Sequence, residues 1–502
     1  MHADKHTTTA PAAPTAASNV RATAIGSIQG LSGQAAGLVL GFVASAFLTR
    51  SLGPERYGLY SIATTVVLWL NVSLGMALGR TTAAFVARDA DWLATSSTML
   101  RVELAANLVA AALLVASAPL VAAWLHAPEL TVYLLLFALG RPVSGLSGVH
   151  SSTLVGRGHF GPWALLTVVY WTARLALAVV LVNLGLSVEG AILATLGASL
   201  VHVLVARLFV QPSWGKRAAF PLSRVASYAL PLMVHGLGMR LFGYLDIPVL
   251  QSLGGDPALA GYYSAAQNLS IVPLEMLGQA FSPPLFATLA LLVGQGQSGQ
   301  ARDVVSGAMR WLLWMLPLGG VVMGMAHEVV QWVYGASYLP AARLLGLLFL
   351  AGWASLIIWL SCAMLAAAGR PGWTPVLTSP LPLVVLAGHW FLIPRLGATG
   401  AALSTLATAC LGALATLWVM YRTWSVLPPI KSLLRGAIAG ALAYAVGSAF
   451  PAAGWAVPLK LAILAGAVVV GLASMGEFKS HDVEFLRSLL PIGGGRALGK
   501  KA

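Results

Sequence analysis

Leu52-Gly53-Pro54-Glu55-Arg56-Tyr57-Gly58-Leu59-Tyr60-Ser61 returns later in the chain as Leu253-Gly254-Gly255-Asp256-Pro257-Ala258-Leu259-Ala260-Gly261-Tyr262-Tyr263-Ser264. Each copy is a short polar loop between two long apolar runs. Around the second copy, within residues 224–285, three ionisable residues sit well inside the apolar part: Arg240, Asp246 and Glu275. A charge at the centre of a bilayer costs about 3 kcal/mol on insertion scales, so charges kept there usually line a cavity or pathway.

The duplication extends outward from the loop. Gly58 and Gly261 are 203 residues apart, Trp124 and Trp332 208, Gly158 and Gly369 211, Gly161 and Gly372 211, and Gly190 and Gly400 210. A nearly constant separation over such a length marks two copies of one unit. The repeat places Arg240 opposite Gly37, Glu275 opposite Val72 and Arg174 opposite Val385. The shared architecture therefore does not need a charge at those places.

Of the 502 residues, 58% are hydrophobic and only 9% charged. A soluble domain carries about 25% charged residues, so the composition is that of a polytopic membrane protein. About 20 apolar residues cross a bilayer. On that measure the chain holds about fourteen spans, near 24–48, 57–79, 102–124, 130–153, 163–183, 188–210, 227–251, 262–285, 306–326, 341–367, 374–394, 399–421, 433–450 and 457–474. With a cytoplasmic N-terminus, 21 of the 29 Lys and Arg fall on inside loops and tails and five outside. That bias follows the positive-inside rule and accounts for the net charge of +14 without nucleic acid. Six spans per copy is an even number, so both copies share one orientation.

The expected fold is all-α: two six-helix lobes related by a parallel pseudo-twofold axis, plus two C-terminal helices. Its parts are an N-terminal tail (1–22), an N-lobe (23–211), a linker (212–226), a C-lobe (227–423), spans 13 and 14 (424–475) and a C-terminal tail (476–502). No cleavable leader is expected, because the first apolar run is full length. The segment 81–97, with Arg88, Asp89, Asp91 and Trp92, reads as a surface helix on the cytoplasmic face. Cys362 and Cys410 read as packing residues.

The interior polar residues carry the chemistry. Arg141, Arg174 and Arg240 are the candidates for a cationic cavity, since guanidinium binds phosphate oxygens in a bidentate way. The competing reading has each one neutralised by a nearby carboxylate. Asn268, Glu275 and Gln279 share one face of span 8 and should face the cavity. Asp246, Glu275 and His235 are the candidates for a proton or sodium step. Gly26, Gly30, Gly33, Gly37 and Gly41 form a small-residue stripe on span 1, suited to close helix packing. No Walker loop, metal-spaced His/Cys set or large loop with paired carboxylates is present in the sequence. No cofactor is expected, and energy must come from a gradient, the membrane potential or use of product.

The leading span, Leu52-Gly53-Pro54-Glu55 with Tyr57-Gly58 and Tyr60, then Leu74-Gly75 and the Arg80 loop, resembles the polysaccharide-biosynthesis flippases. These are the Wzx-type lipid-linked oligosaccharide transporters of the multidrug/oligosaccharidyl-lipid/polysaccharide superfamily. Asp246, Leu253-Gly254 and Gly261-Tyr262-Tyr263-Ser264 resemble the start of that family's second lobe. The resemblance implies transfer of an undecaprenyl-pyrophosphate-linked sugar unit from the inner to the outer leaflet of a bacterial cytoplasmic membrane. The expected partners are that polyprenyl-pyrophosphate-linked oligosaccharide, membrane lipids, a glycan polymerase and assembly proteins. The first span carries Gln29 and Gln34 but no arginine, which separates it from lipid II flippases. Two other classes remain open: a multidrug exporter of the same superfamily, which should have acidic cavities, and a membrane glycan polymerase or ligase, which should have a large outer loop.

Overall fold

A computed structural model describes residues 16–212, 223, 225, 229, 241–426 and 429–477. Every element among them is helical. The first half contains α1 (Ala16–Arg88), α2 (Trp92–Trp124), α3 (Leu130–Gly156), α4 (Phe160–Leu181) and α5 (Ser187–Ala206). The second contains α6 (Asp246–Gly254), α7 (Pro257–Gly294), α8 (Ser298–Trp314), α9 (Leu316–Gly324), α10 (Ala326–Tyr334), α11 (Ala342–Ala367), α12 (Trp373–Thr378), α13 (Leu381–Leu396) and α14 (Ala398–Trp424). Two further helices, α15 (Ile430–Ala449) and α16 (Ala456–Ser474), follow.

Eleven stretches among the described residues are long and apolar enough to cross a membrane. Two of them each hold two expected spans. In α1 the helix breaks at Gly53, whose φ of 73° suits a residue without Cβ. The chain doubles back there: the Ser45 and Tyr57 hydroxyls lie 3.1 Å apart. Twelve residues of straight helix would separate their backbones by about 18 Å. Between α4 and α5 the break is Val182–Leu186, with Gly185 at φ 91°. A Cβ on Gly197 would come within 2.7 Å of Leu177, so these two helices also form a hairpin. Most of span 7 lies outside the described residues.

One expectation fails. Residues 81–97 do not form a separate surface helix. The helix of span 2 continues to Arg88 and that of span 3 starts at Trp92. Asp91 caps the new start by accepting from Ala94 N at 3.1 Å, and Thr81, Thr82 and Ala94–Ser97 are buried. Asp89 and Asp91 supply turn chemistry, so the polar run makes a tight turn instead of a helix. A helix absent from the sequence reading, α10, follows span 9.

The glycine stripe packs closely, as expected. Added Cβ atoms would press on Trp163 at Gly30 (3.1 Å), Ala164 at Gly33 (2.6 Å) and Trp171 at Gly37 (2.8 Å) and Gly41 (3.0 Å). Span 1 thereby lies against α4 and places Trp171 beside the polar residues of the interior.

The two copies of the opening loop meet. A Cβ on Gly58 would overlap the carbonyl of Pro257, and one on Gly261 would overlap that of Pro54. The contact is reciprocal, which is what a twofold axis passing between the loops produces. At the same end, α10 binds α16 through an ion pair. Lys460 Nζ lies 2.8 and 2.9 Å from the Glu328 carboxylate oxygens and 2.7 Å from Gly447 O, and it also donates to Phe450 O. Trp332 and Trp455 pack edge-on with centroids 6.1 Å apart. Outward faces of α15 and α16 present Ile438, Leu442, Leu459 and Val470, as expected for contact with acyl chains.

Candidate functional site

Two polar clusters occupy equivalent places in the two halves. Each is built around a tyrosine of the duplicated loop: Tyr60 in the first half and Tyr263 in the second, 203 residues apart.

In the first half, Arg174 on α4 donates from Nη2 to Tyr60 Oη at 2.7 Å. Its guanidinium lies 5.0 Å above the Trp171 ring, a cation–π contact. Among the described residues no carboxylate forms an ion pair with Arg174, so neutralisation by an acid is not its arrangement. A phenol and a ring face position a guanidinium without cancelling its charge. The remaining donors of the fork stay suited to an anion. Tyr60 packs on Tyr57 with ring centroids 6.1 Å apart. Tyr57 Oη in turn accepts from Asn268 Nδ2 of the second half at 2.9 Å. Arg174 therefore lies two rings away from the contact between the halves.

In the second half, Asp246 at the start of α6 is fully buried. Its Oδ1 is 2.7 Å from His389 Nε2 on α13. Its Oδ2 accepts from Thr405 Oγ1 on α14 at 3.0 Å and from Tyr263 Oη on α7. His389 is also fully buried, and its Nδ1 has no hydrogen-bond partner among the described residues. One proton on Nε2 leaves the Asp246–His389 pair with a net negative charge. A second, on Nδ1, makes it neutral. The acid and the imidazole are enclosed together, out of contact with solvent.

The other candidates fall in separate places. Arg141 is 3% exposed and donates to Asn107 Oδ1 at 2.7 Å, between α2 and α3, while its Nε has no partner among the described residues. It is not brought together with Arg174. Glu275 accepts from Tyr244 Oη at 3.3 Å and is partly buried. Asn268 bonds across to Ser45 and Tyr57, so its face of α7 looks toward the first half. Gln279, further along that face, is exposed. Arg240 and His235 lie outside the described residues. No group of three His, Cys, Asp or Glu side chains able to hold a metal occurs among the described residues.

His389 and Thr405 were not singled out by sequence, and Tyr60 and Tyr263 only as members of the repeated loop. His389 carried a usable signal: its counterpart in the first half is Ala178, so it too is a polar residue the repeat does not require.

The comparisons with known proteins agree with this architecture. Over 317 residues, 62% of each chain, the sequence is 27% identical to the succinoglycan biosynthesis transport protein ExoT of Rhizobium meliloti (strain 1021). The match thus spans less than two thirds of that relative. Among solved structures, the lipid II flippase MurJ in an inward closed conformation superposes with a TM-score of 0.73 at 14% identity, covering 89% of this chain and 98% of that one. A multidrug resistance MATE family transporter of the MOP superfamily, inward-facing, gives 0.67 at 16% identity, covering 79% and 98%. These structural likenesses concern the fold. The profile of the polysaccharide biosynthesis protein family matches residues 47–343, more than half of the chain, and the protein accordingly belongs to that family.

Proposed function

We propose that the protein carries a polyprenyl-pyrophosphate-linked oligosaccharide from the inner to the outer leaflet by alternating access between its two lobes. The observation that carries the reading is Arg174: a guanidinium inside a membrane span, held by a phenol and an indole with no acid paired to it among the described residues. A pyrophosphate is a multiply charged anion, and a fixed uncompensated guanidinium in a low-dielectric setting is a strong partner for it. Arg240 is assigned to the same head group. Arg141, buried against Asn107, adds positive field without touching the ligand in this state. Asn268, Glu275 and Gln279 line the path on α7.

Coupling to an ion gradient is assigned to Asp246. The contact of His389 Nε2 with Asp246 Oδ1 favours a proton over sodium, because the imidazole occupies one of the carboxylate's coordination positions. His235 and Glu275 are the secondary candidates. The bias of Lys and Arg supports cytoplasmic termini, and the family match supports a bacterial inner membrane. Partners are the lipid-linked sugar, surrounding lipids, and the polymerase and assembly proteins that use the product. The protein is a transporter and not an enzyme. Export of cationic drugs is disfavoured, since an uncompensated Arg174 repels a cation.

Replacing Arg174 by Ala tests the reading. Surface glycan is expected to disappear while the amount of protein in the membrane stays normal. Wild-type glycan in that variant would refute it.

A further inference from the structure

We propose that an anionic head group bound at Arg174 unlatches the contact between the lobes through Tyr60, Tyr57 and Asn268. The proposal rests on the reading of Arg174 as a head-group residue, and its first arm below does not.

The lobes are shut at the Gly53 end by three kinds of contact. At the centre the Gly58 and Gly261 backbones lie against the Pro257 and Pro54 carbonyls, and only hydrogen fits there. At the rim, Arg50 Nε donates to Val333 O at 2.7 Å and its Nη2 donates to Trp332 O, at the C-terminal end of α10. In the opposite sense Gln251 Nε2 donates to Leu125 O at 3.1 Å, just past the end of α2. These two rim contacts mirror each other, for Leu125 and Val333 are separated by the same 208 residues as Trp124 and Trp332. None of these groups touches Arg174.

The third contact is one-sided. Asn268 Nδ2 donates to Tyr57 Oη at 2.9 Å and lies 3.2 Å from Ser45 Oγ, and those two hydroxyls are 3.1 Å apart. The repeat puts Thr65 opposite Asn268, Ala260 opposite Tyr57 and Pro248 opposite Ser45, so the second lobe has no such latch. This latch alone is continuous with the cation: Tyr57 packs on Tyr60, and Tyr60 holds Arg174.

Phosphate oxygens accept a guanidinium hydrogen bond more strongly than a neutral phenol does. A head group arriving at Arg174 therefore takes Nη2 from Tyr60. The freed phenol turns to donate to phosphate, the Tyr57 ring follows its packed neighbour, and the Asn268 bonds break. The symmetric glycine and rim contacts then separate without a direct signal. Empty transporter keeps the latch, which suppresses opening without cargo.

The experiment uses the full chain in nanodiscs, with Cys362→Ala and Cys410→Ala, and spin labels at Glu55→Cys and Asp256→Cys, exposed positions in the two facing loops. Without ligand, Asn268→Ala is expected to shift the closed-to-open ratio about tenfold toward open, as loss of a pair of hydrogen bonds implies. With undecaprenyl pyrophosphate, the parent is expected to open, and Tyr60→Phe to bind the lipid yet stay closed. A parent-like ligand-free distance in a folded Asn268→Ala protein would overturn the latch. Opening of Tyr60→Phe with lipid would overturn the relay. Unchanged lipid affinity in Arg174→Ala would instead overturn the head-group assignment, and the ligand-free arm would still decide the latch.

Discussion

The bays around Tyr60 and Tyr263 occupy equivalent places in two copies of one unit, yet they hold opposite charges. Tyr60 accepts a hydrogen bond from Arg174, and Tyr263 donates one to Asp246. A phenol does both, so one inherited side chain serves a cation in one lobe and an anion in the other. Elsewhere the bays diverge by single residues. Arg174 stands opposite Val385, Asp246 opposite Val43 and His389 opposite Ala178, while Thr405 keeps its counterpart Thr195. Thr195 bonds only its own helix, at 3.3 Å to Ala191 O, whereas Thr405 bonds Ala401 O and also Asp246. The difference teaches a division of labour. One bay keeps an uncompensated cation next to the lobe contact. The other seals an acid away from solvent against the imidazole of His389.

Removing the cation should give the largest effect. Losing a charged hydrogen-bonding partner costs about 1.5–3 kcal/mol, so Arg174→Ala should weaken pyrophosphate-lipid binding by about a hundredfold, read by lipid titration of purified protein. Arg174→Lys should recover only part of it, because a point charge lacks the planar fork. Affinity unchanged by either substitution would break the comparison on the first-lobe side.

Substituting the acid should act on energetics rather than affinity. Asp246→Asn should slow transport about tenfold and remove its response to an imposed proton gradient, while lipid affinity stays within about threefold, a difference below 1 kcal/mol. His389→Gln should show the same loss of gradient response. A gradient response that survives in both would show that the sealed pair is structural.

The two tyrosines provide the sharpest internal control. Tyr60→Phe should change lipid-dependent opening and leave the proton response intact. Tyr263→Phe should do the reverse. Each deletes one hydroxyl, so the expected effect is about 1 kcal/mol, or severalfold in rate.

A smaller effect is expected from the clasp between α10 and α16. Lys460→Met leaves Glu328 without its cation, a loss of about 3 kcal/mol for a buried pair and less here because both side chains are partly exposed. It should lower the melting temperature by a few degrees and leave lipid affinity unchanged. Only a changed affinity would tie spans 13 and 14 to the binding bay.

Much of the frame was legible in the sequence because bilayer physics writes it in long apolar runs and in the placement of Lys and Arg. The repeat of Gly58 at Gly261 marked two copies of one unit, and the structure adds that those two residues lie against each other. The glycine stripe of span 1 reported its own packing on α4. The site was legible only in part. Arg174 and Asp246 stood out, since a charge in a span is conspicuous one residue at a time. Their partners did not: Tyr60 lies 114 residues from Arg174, His389 143 from Asp246 and Thr405 159 from it. Hydroxyls and a histidine in apolar helices are ordinary until the fold brings them to a charge. The surface helix expected at 81–97 failed for a local reason, since a few charged residues mark a turn as readily as an amphipathic face.

Reconstituted vesicles carrying a labelled polyprenyl-pyrophosphate sugar, with the proton gradient imposed or collapsed, test the separation of the two bays most directly. Arg174→Ala is expected to bind the lipid about a hundredfold more weakly and to move none under either condition, whereas Asp246→Asn binds it normally and moves it at one rate in both. Equal loss of binding in the two variants, or a gradient-dependent rate in Asp246→Asn, would contradict it.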